Sequence, residues 1–220
     1  KEGSIWLNPY DKRSWEYIVN IAKKAAEIGF DEIQFDYVRF SPYKNENIVL
    51  GNLAKTVSKI EIINQFFDYA IKELHPLGVK VSVDAFGCII PETLGNDTKI
   101  SSANLGQDYI SLAKKVDYIC PMIYPSHWPI GSLGTKYPDL APYQIVYNSM
   151  KKAIESSKSS GAKAIIRPWA QAFTASWLQA RAYQKYTKKQ INEQIKAVYD
   201  VGLIEWSLWN PRANYDIFVE

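Results

Sequence analysis

Gly29-Phe30-Asp31-Glu32-Ile33-Gln34-Phe35-Asp36-Tyr37-Val38-Arg39-Phe40 reads as a buried strand that stops abruptly at an acid, an aromatic and a base. Over about residues 14–27, just ahead of it, Trp15, Ile18, Ala22 and Ala25 recur at helical spacing, and Gly29 stands where a left-handed cap would end that helix. Helix, glycine, apolar strand and terminal polar cluster make one unit of a parallel α/β architecture.

The unit recurs. A second helix pattern (Ile60, Ile63, Phe66, Phe67, Ala70, Leu74) ends near His75-Pro76 and Gly78, and a strand over 79–85 follows, with Asp84 placed as Asp36 is on the first. Helices over about 107–115, 143–157 and 187–200 lead to strands over 116–124, 164–169 and 203–210. Each strand starts apolar and finishes polar and aromatic, as in a parallel sheet whose C-terminal edge carries the site. The expected fold is therefore a (β/α)8 TIM-type barrel. With five strands in view it is expected to be incomplete, its first strands missing from this chain, residues 4–9 ending an earlier strand or the loop after it, and the chain being the C-terminal part of a longer polypeptide. Residues 1–220 read as one domain, since no repeat, low-complexity stretch or linker divides them.

Composition narrows the function. The chain is 47% hydrophobic and 22% charged, with no apolar run near the ~18 residues of a membrane span. A formal charge of +3 is too mild to imply a nucleic-acid partner, and the lysine pairs at 23–24, 114–115, 151–152 and 188–189 read as solvated helix faces. Cys88 and Cys120 read as buried free thiols, and His75 and His127 sit in no metal-binding spacing, so no metal is expected. No glycine-rich phosphate loop and no GxSxG elbow follows a strand, and no cofactor is expected either.

Carboxylates and aromatics remain. Many of the 15 tyrosines and 7 tryptophans fall after strands, among them Tyr37, Tyr124, Trp128, Trp169, Trp177, Trp206, Trp209 and Tyr215. Aromatic faces stack on the apolar faces of sugar rings while Asp, Asn, Gln and Arg bind hydroxyls, so the mixture suits a carbohydrate cleft. Strand parity sharpens it, because alternate side chains face the barrel interior. With Asp36 inward, Gln34 shares its face. Ser82 and Asp84 go together, as do Cys120, Met122 and Tyr124, and Ile165, Arg167, Trp169 and Gln171. On the last strand either Ile204, Trp206, Leu208 and Asn210 or Glu205, Ser207 and Trp209 point inward; the first set is favoured, which leaves Glu205 a packing or salt-bridge role.

The strings GFDEIQFDYVRF (29–40), VSVDAFG (81–87), LGQDYISLAKKVDYICPMIYPSHW (105–128), IIRPWAQAF (165–173) and EWSLWNPRANY (205–215) resemble a bacterial glycoside hydrolase domain family of TIM-barrel type. The resemblance runs from about Trp6 to Tyr215 and implies a glycosidase-like barrel acting on a polysaccharide or oligosaccharide, on exported or cell-surface proteins. More distantly, 29–38, 116–124 and 202–208 are similar to chitinase-type family-eighteen glycosidases. That likeness puts Asp36 on the last aspartate of their acidic strand, Met122 and Tyr124 on their MxY pair, Trp206 on their floor tryptophan, and Val38 where they carry the acid.

Glycosidic cleavage needs two carboxyl groups, one protonated and one ionised. Asp36 is expected to be the nucleophile or base and Asp84 the acid, their carboxyls within about 10 Å. Gln34, Tyr124, His127, Trp128, Arg167, Trp169, Gln171, Trp206 and Asn210 are expected around the sugar, and Arg39 beside a carboxylate. The alternative is a barrel that binds glycans without cleaving them, which the valine at 38 favours. An isomerase or aldolase would need a phosphate site or a strand-end lysine, and neither is visible.

Overall fold

A computed structural model describes residues 6–41, 49–93 and 101–216. Helices α1 (Lys12–Ile28), α2 (Lys59–Leu74), α3 (Ser102–Leu105), α4 (Tyr109–Ala113), α5 (Pro142–Ser160) and α6 (Lys188–Asp200) alternate with strands β1 (Glu32–Phe35), β2 (Lys80–Phe86), β3 (Tyr118–Met122), β4 (Ile165–Ile166), β5 (Trp169–Gln171) and β6 (Ser207–Trp209). Helices α1, α2 and α6 carry side-chain N-caps, whereas α5 starts at Pro142 with none. Asp11 accepts from the Arg13 N–H at the start of α1, Ser58 from the Glu61 N–H at α2, and Thr187 with Gln190 forms a reciprocal capping box on α6. Gly29 ends α1 at φ 110°, returning its N–H to Ala25 and Ala26 carbonyls.

All strand pairings are parallel, in the order β1-β2-β3-β5-β6 with β4 also on β3. The strand expected over 164–169 is β4, and after a break at Arg167-Pro168, where proline has no N–H to give the ladder, β5 begins at Trp169 and runs on to Gln171. The helix expected over about 107–115 is the shorter α4, and α3 is a separate turn ahead of it, ended by Gly106 at φ 74°. Among the described residues, neither β1 nor β6 pairs with a further strand. Of residues 4–9, Ser4 and Ile5 lie outside the described residues, and Trp6 to Asn8 belong to no strand.

The core lies between sheet and helices. Phe35, Val81, Val83, Ala85, Ile119 and Ile166 face outward onto Ile62, Phe66, Phe67, Ala70, Leu74, Leu112, Val146 and Met150. Phe35 meets Phe66 and Phe67 edge-on at 5.3 and 6.0 Å between ring centroids. The opposite face carries Glu32, Gln34, Ser82, Asp84, Tyr118, Cys120, Met122, Arg167 and Trp169. Glu32 on β1 grips Arg167 beyond β4 although β2 and β3 lie between them, so the sheet curls toward this face as a half-barrel.

The last strand corrects the expected parity. Register pairs Trp169 with Ser207 and Gln171 with Trp209, so Ser207 and Trp209 share the inner face with Trp169, and Glu205 reaches within 3.8 Å of Arg167. Trp206 turns to the helix side, its Nε1 donating to Tyr199 Oη at 3.0 Å. The physical reason is the division just described: apolar side chains belong to the sheet–helix layer, and the inner face is the polar one.

β2 and β3 approach so closely at their C-terminal ends that a Cβ on Gly87 would sit 2.6 Å from the Met122 carbonyl oxygen and 3.2 Å from the Trp128 ring. A backbone oxygen cannot step aside as a flexible side chain can. Gly87→Ala should therefore cost about 1–3 kcal/mol of stability, measured by denaturant unfolding, with the loss accompanied by a changed tryptophan signal.

Candidate active site

The C-terminal parts of β1, β2 and β3 and the start of β5 bring together Asp36, Asp84, Tyr124 and Trp169. Asp84 is 7% exposed, and its Oδ1 receives both the Trp169 Nε1–H at 2.6 Å and the Gln34 amide. Burial pushes its carboxyl up to about 6 against those two hydrogen bonds, and the charge of nearby Asp36 adds to the rise, while Arg167 opposes it. Its backbone is fixed as well. The buried Gln107 amide donates to the Asp84 and Val38 carbonyls at 3.0 and 3.2 Å, and its oxygen accepts from Phe86 N–H at 3.2 Å. Gln107 thus ties the end of β2 to the loop after β1.

Asp36 is exposed at the end of β1 and accepts its neighbour's amide, Tyr37 N–H, at 2.7 Å. Tyr37 takes φ 57°, a left-handed conformation that costs a side-chain-bearing residue of order 1–3 kcal/mol, and Arg39 N–H closes a tight turn onto the Tyr37 carbonyl at 2.8 Å. Arg39 lies over the rings of Trp6, Tyr37 and Phe86 at 5.0, 5.0 and 4.8 Å. Tyr124 is buried, and its phenol is pushed well above the tyrosine range by burial and then by the charges of Asp84 and Asp36. It stays a neutral O–H within the electrostatic reach of both carboxyls.

Several expected binding residues are struts. Arg167 is held by both Glu32 carboxylate oxygens, stands over the Tyr118 ring at 4.5 Å and has Cys120 Sγ at 3.8 Å, one layer below Asp84. Burial raises the Glu32 carboxyl, but hydrogen bonds from Arg167 and Ser82 outweigh it and hold the group below its usual value. Gln171 is fully buried, donating to Asp139 and to the Phe173 carbonyl and accepting from Ser126 N–H. Trp128 is buried against Gly87. Asn210 donates to the Ala172 carbonyl at 2.7 Å and accepts from Arg212 N–H. His127 keeps an exposed edge, bonds Ser126 Oγ through Nδ1, and is lowered below the histidine value by the desolvation its ring neighbours impose.

Trp209 was not among the expected site residues, yet its ring meets Trp169 edge-on at 6.2 Å. An open depression of about 500 Å³ lies beside them, lined by Trp169, Trp206, Ser207, Leu208 and Tyr215; Trp206 borders it because β6 is an edge strand. Glu32 and Gln107 are likewise outside the expected set. Glu32 has the parity of Gln34 and Asp36, which was the signal for it; nothing local marks Gln107. Cys88 and Cys120 are free thiols, raised by burial to about 11 and about 12, and so are poor nucleophiles at neutral pH.

Residues 1–215 match the family described as "Putative glycosyl hydrolase domain", and the chain belongs to it. No curated protein matches the chain by sequence. Among solved structures it is similar to the PgaB (BpsB) glycoside hydrolase domain from Bordetella bronchiseptica, with a TM-score of 0.61 at 14% identity over 100% of this chain and 64% of that one. The spore cortex-lytic enzyme SleL of Bacillus megaterium QM B1551 gives 0.59 at 14% identity over 99% of this chain and 55% of that one. A chitinase from Chromobacterium violaceum ATCC 12472 gives 0.58 at 14% identity over 95% and 70%. The fold is that of TIM-barrel glycoside hydrolases, and the chain spans 64% and 55% of the first two structures' lengths. No helix among the described residues is long and apolar enough to cross a membrane.

The raised Asp84 carboxyl carries a stability cost whose sign is fixed. The folded state holds its proton to higher pH than the unfolded chain, so the penalty is absent below about pH 4, grows as pH rises toward 6 and is complete above it. Asp84→Asn keeps an oxygen for Trp169 and Gln34 and removes the charge. It should raise stability at pH 7, by at most on the order of 3 kcal/mol, with the gain vanishing near pH 4 in thermal melts across that range.

Proposed function

We propose that the domain hydrolyses a polysaccharide, with Asp84 as the general acid and Asp36 as nucleophile or base. The observation that carries this reading is the contrast between two carboxyls at the ends of neighbouring parallel strands, one buried and raised to about 6, the other open to solvent. Environments that push two acids apart in this way assign them different jobs. Asp84 holds its proton into the mildly acidic range and gives it to the departing glycosidic oxygen. With both hydrogen-bond donors on Oδ1, Oδ2 is the oxygen left to carry that proton. Asp36 faces the cleft with the charge needed to meet the developing positive charge at the sugar, directly or through a water. Tyr124, a neutral donor beside both, suits the sugar ring oxygen or a hydroxyl. The depression along Trp169, Trp206 and Tyr215 offers ring faces for the adjoining sugar.

Val38 stands where the chitinase likeness would require an acid, and its carbonyl is already held by Gln107. The reading therefore uses Asp84, not a residue on β1, for proton donation. The same valine favours the second reading, a barrel that binds glycan without cleaving it. An exported or cell-surface location, expected from the family resemblance, goes with a polymeric substrate.

The test compares aryl glycosides with natural oligosaccharides. Asp36→Asn should lower kcat by several orders of magnitude on both while leaving affinity little changed. Asp84→Asn should be severe on the natural linkage and mild on an aryl glycoside, whose leaving group needs no protonation. Trp169→Phe keeps a ring and removes a donor to the Asp84 carboxylate, so the basic limb of the kcat/KM profile should move to higher pH. Wild-type binding without turnover on any substrate would establish the binding-only barrel instead.

A further inference from the structure

The chain after β5 builds an aromatic feature that the acid pair does not use. Phe173 and Trp177 stack at 5.8 Å and 28° between planes. His127 meets them edge-on at 6.3 and 6.0 Å, and Tyr124 meets His127 and Phe173 edge-on at 5.4 and 5.9 Å. The rings therefore form a continuous row from Tyr124, which feels the charges of Asp36 and Asp84, out to Trp177, which is 63% exposed. Trp169 and its depression adjoin Asp84 through the hydrogen bond from the indole.

We propose that Trp177, backed by Phe173 and His127, is an outlying sugar subsite that stacks a pyranose unit of the same glycan chain some distance from the bond that is cleaved. This rests on the glycan reading above and adds that the substrate is an extended oligosaccharide that reaches from the Asp84 and Trp169 site out to Trp177.

Three observations favour a sugar there. An indole with one face packed on a ring and much of its area in water is a ready platform for the apolar face of a pyranose. The loop is already ordered: Gln171 holds the Phe173 carbonyl at 2.9 Å, Thr174 Oγ1 accepts the Tyr186 N–H at 3.0 Å, and Leu178 N–H bonds the Ala175 carbonyl at 3.1 Å. Little entropy is then lost on binding. The exposed neighbours Ser176, Gln179 and Arg181 are polar, which supplies partners for hydroxyls and lacks the contiguous aliphatic surface of a protein interface core.

The test is a fluorescence or calorimetric titration of the whole chain with N-acetylglucosamine, β-1,4-glucose and α-1,4-glucose oligomers from dimer to hexamer. Wild-type affinity should rise with length in one series. Trp177→Ala, at an exposed position, should fold normally and bind the hexamer about tenfold more weakly, while the dimer changes less than twofold. Trp177→Phe should restore most of the hexamer affinity. Unchanged hexamer affinity in Trp177→Ala overturns the proposal, and so does an equal loss for dimer and hexamer, which would place Trp177 at the reacting bond. A variant whose only change is in self-association, read by sedimentation, makes the patch a protein contact and also overturns it. If the wild type binds none of the series, nor any glycan on a printed array, the glycan reading itself fails and this inference with it.

Discussion

A parallel sheet with helices along one face must put its apolar residues there, and every polar side chain on the other face must then find a partner on a neighbouring strand. That requirement organises the inner face in layers. Lowest is an ionic layer in which Arg167 lies between Glu32 and Glu205 and over Tyr118. Above it Asp84 is gripped by Gln34 and Trp169, joining β1, β2 and β5. Uppermost are Asp36, Tyr37 and Tyr124 at the rim. Arg167 offsets the two acids beside it and tempers the rise of the Asp84 carboxyl, so the lower layer sets the electrostatics of the one above.

The same layering separates stability from function. Asp84 would be more comfortable as an amide, Tyr37 sits in a strained conformation, and Gln107 spends a buried side chain holding two backbone carbonyls in place. The first two are costs that a purely structural sheet edge would avoid, the third fixes the backbone around them, and all meet at the ends of β1 and β2. At the far side, the buried Asp139 ties Gln171, Gln184 and Tyr186 together beneath the loops after β3 and β5, which keeps the aromatic row rigid without placing any of these groups in the cleft.

The helix–glycine–strand rhythm was legible because helical periodicity, Gly29 and the apolar starts of the strands all agree, and the structure returns those helices and strands close to their expected positions. Asp84 was legible because parity alone carries it to the inner face at a strand end. The parity of β6 was not: Trp206 and Leu208 look like core residues, and only the sheet's polar inner face explains why they turn to the helices while Glu205, Ser207 and Trp209 do not. Arg167 and Gln171 share the inner parity but are consumed by Glu32 and Asp139, partners distant in sequence that periodicity cannot reveal. Gln107 and the stack of Phe173 on Trp177 depend likewise on tertiary contacts.

The central claim is that Asp84 is an acid raised by burial and by the charge of Asp36. Site-resolved carbon NMR of the Asp84 carboxyl, titrated in the wild type and in Asp36→Asn, measures both causes at once. The account predicts a midpoint near 6 in the wild type that falls when the Asp36 charge is removed. A wild-type midpoint near the ordinary 3.8, or one that does not move in Asp36→Asn, would contradict it.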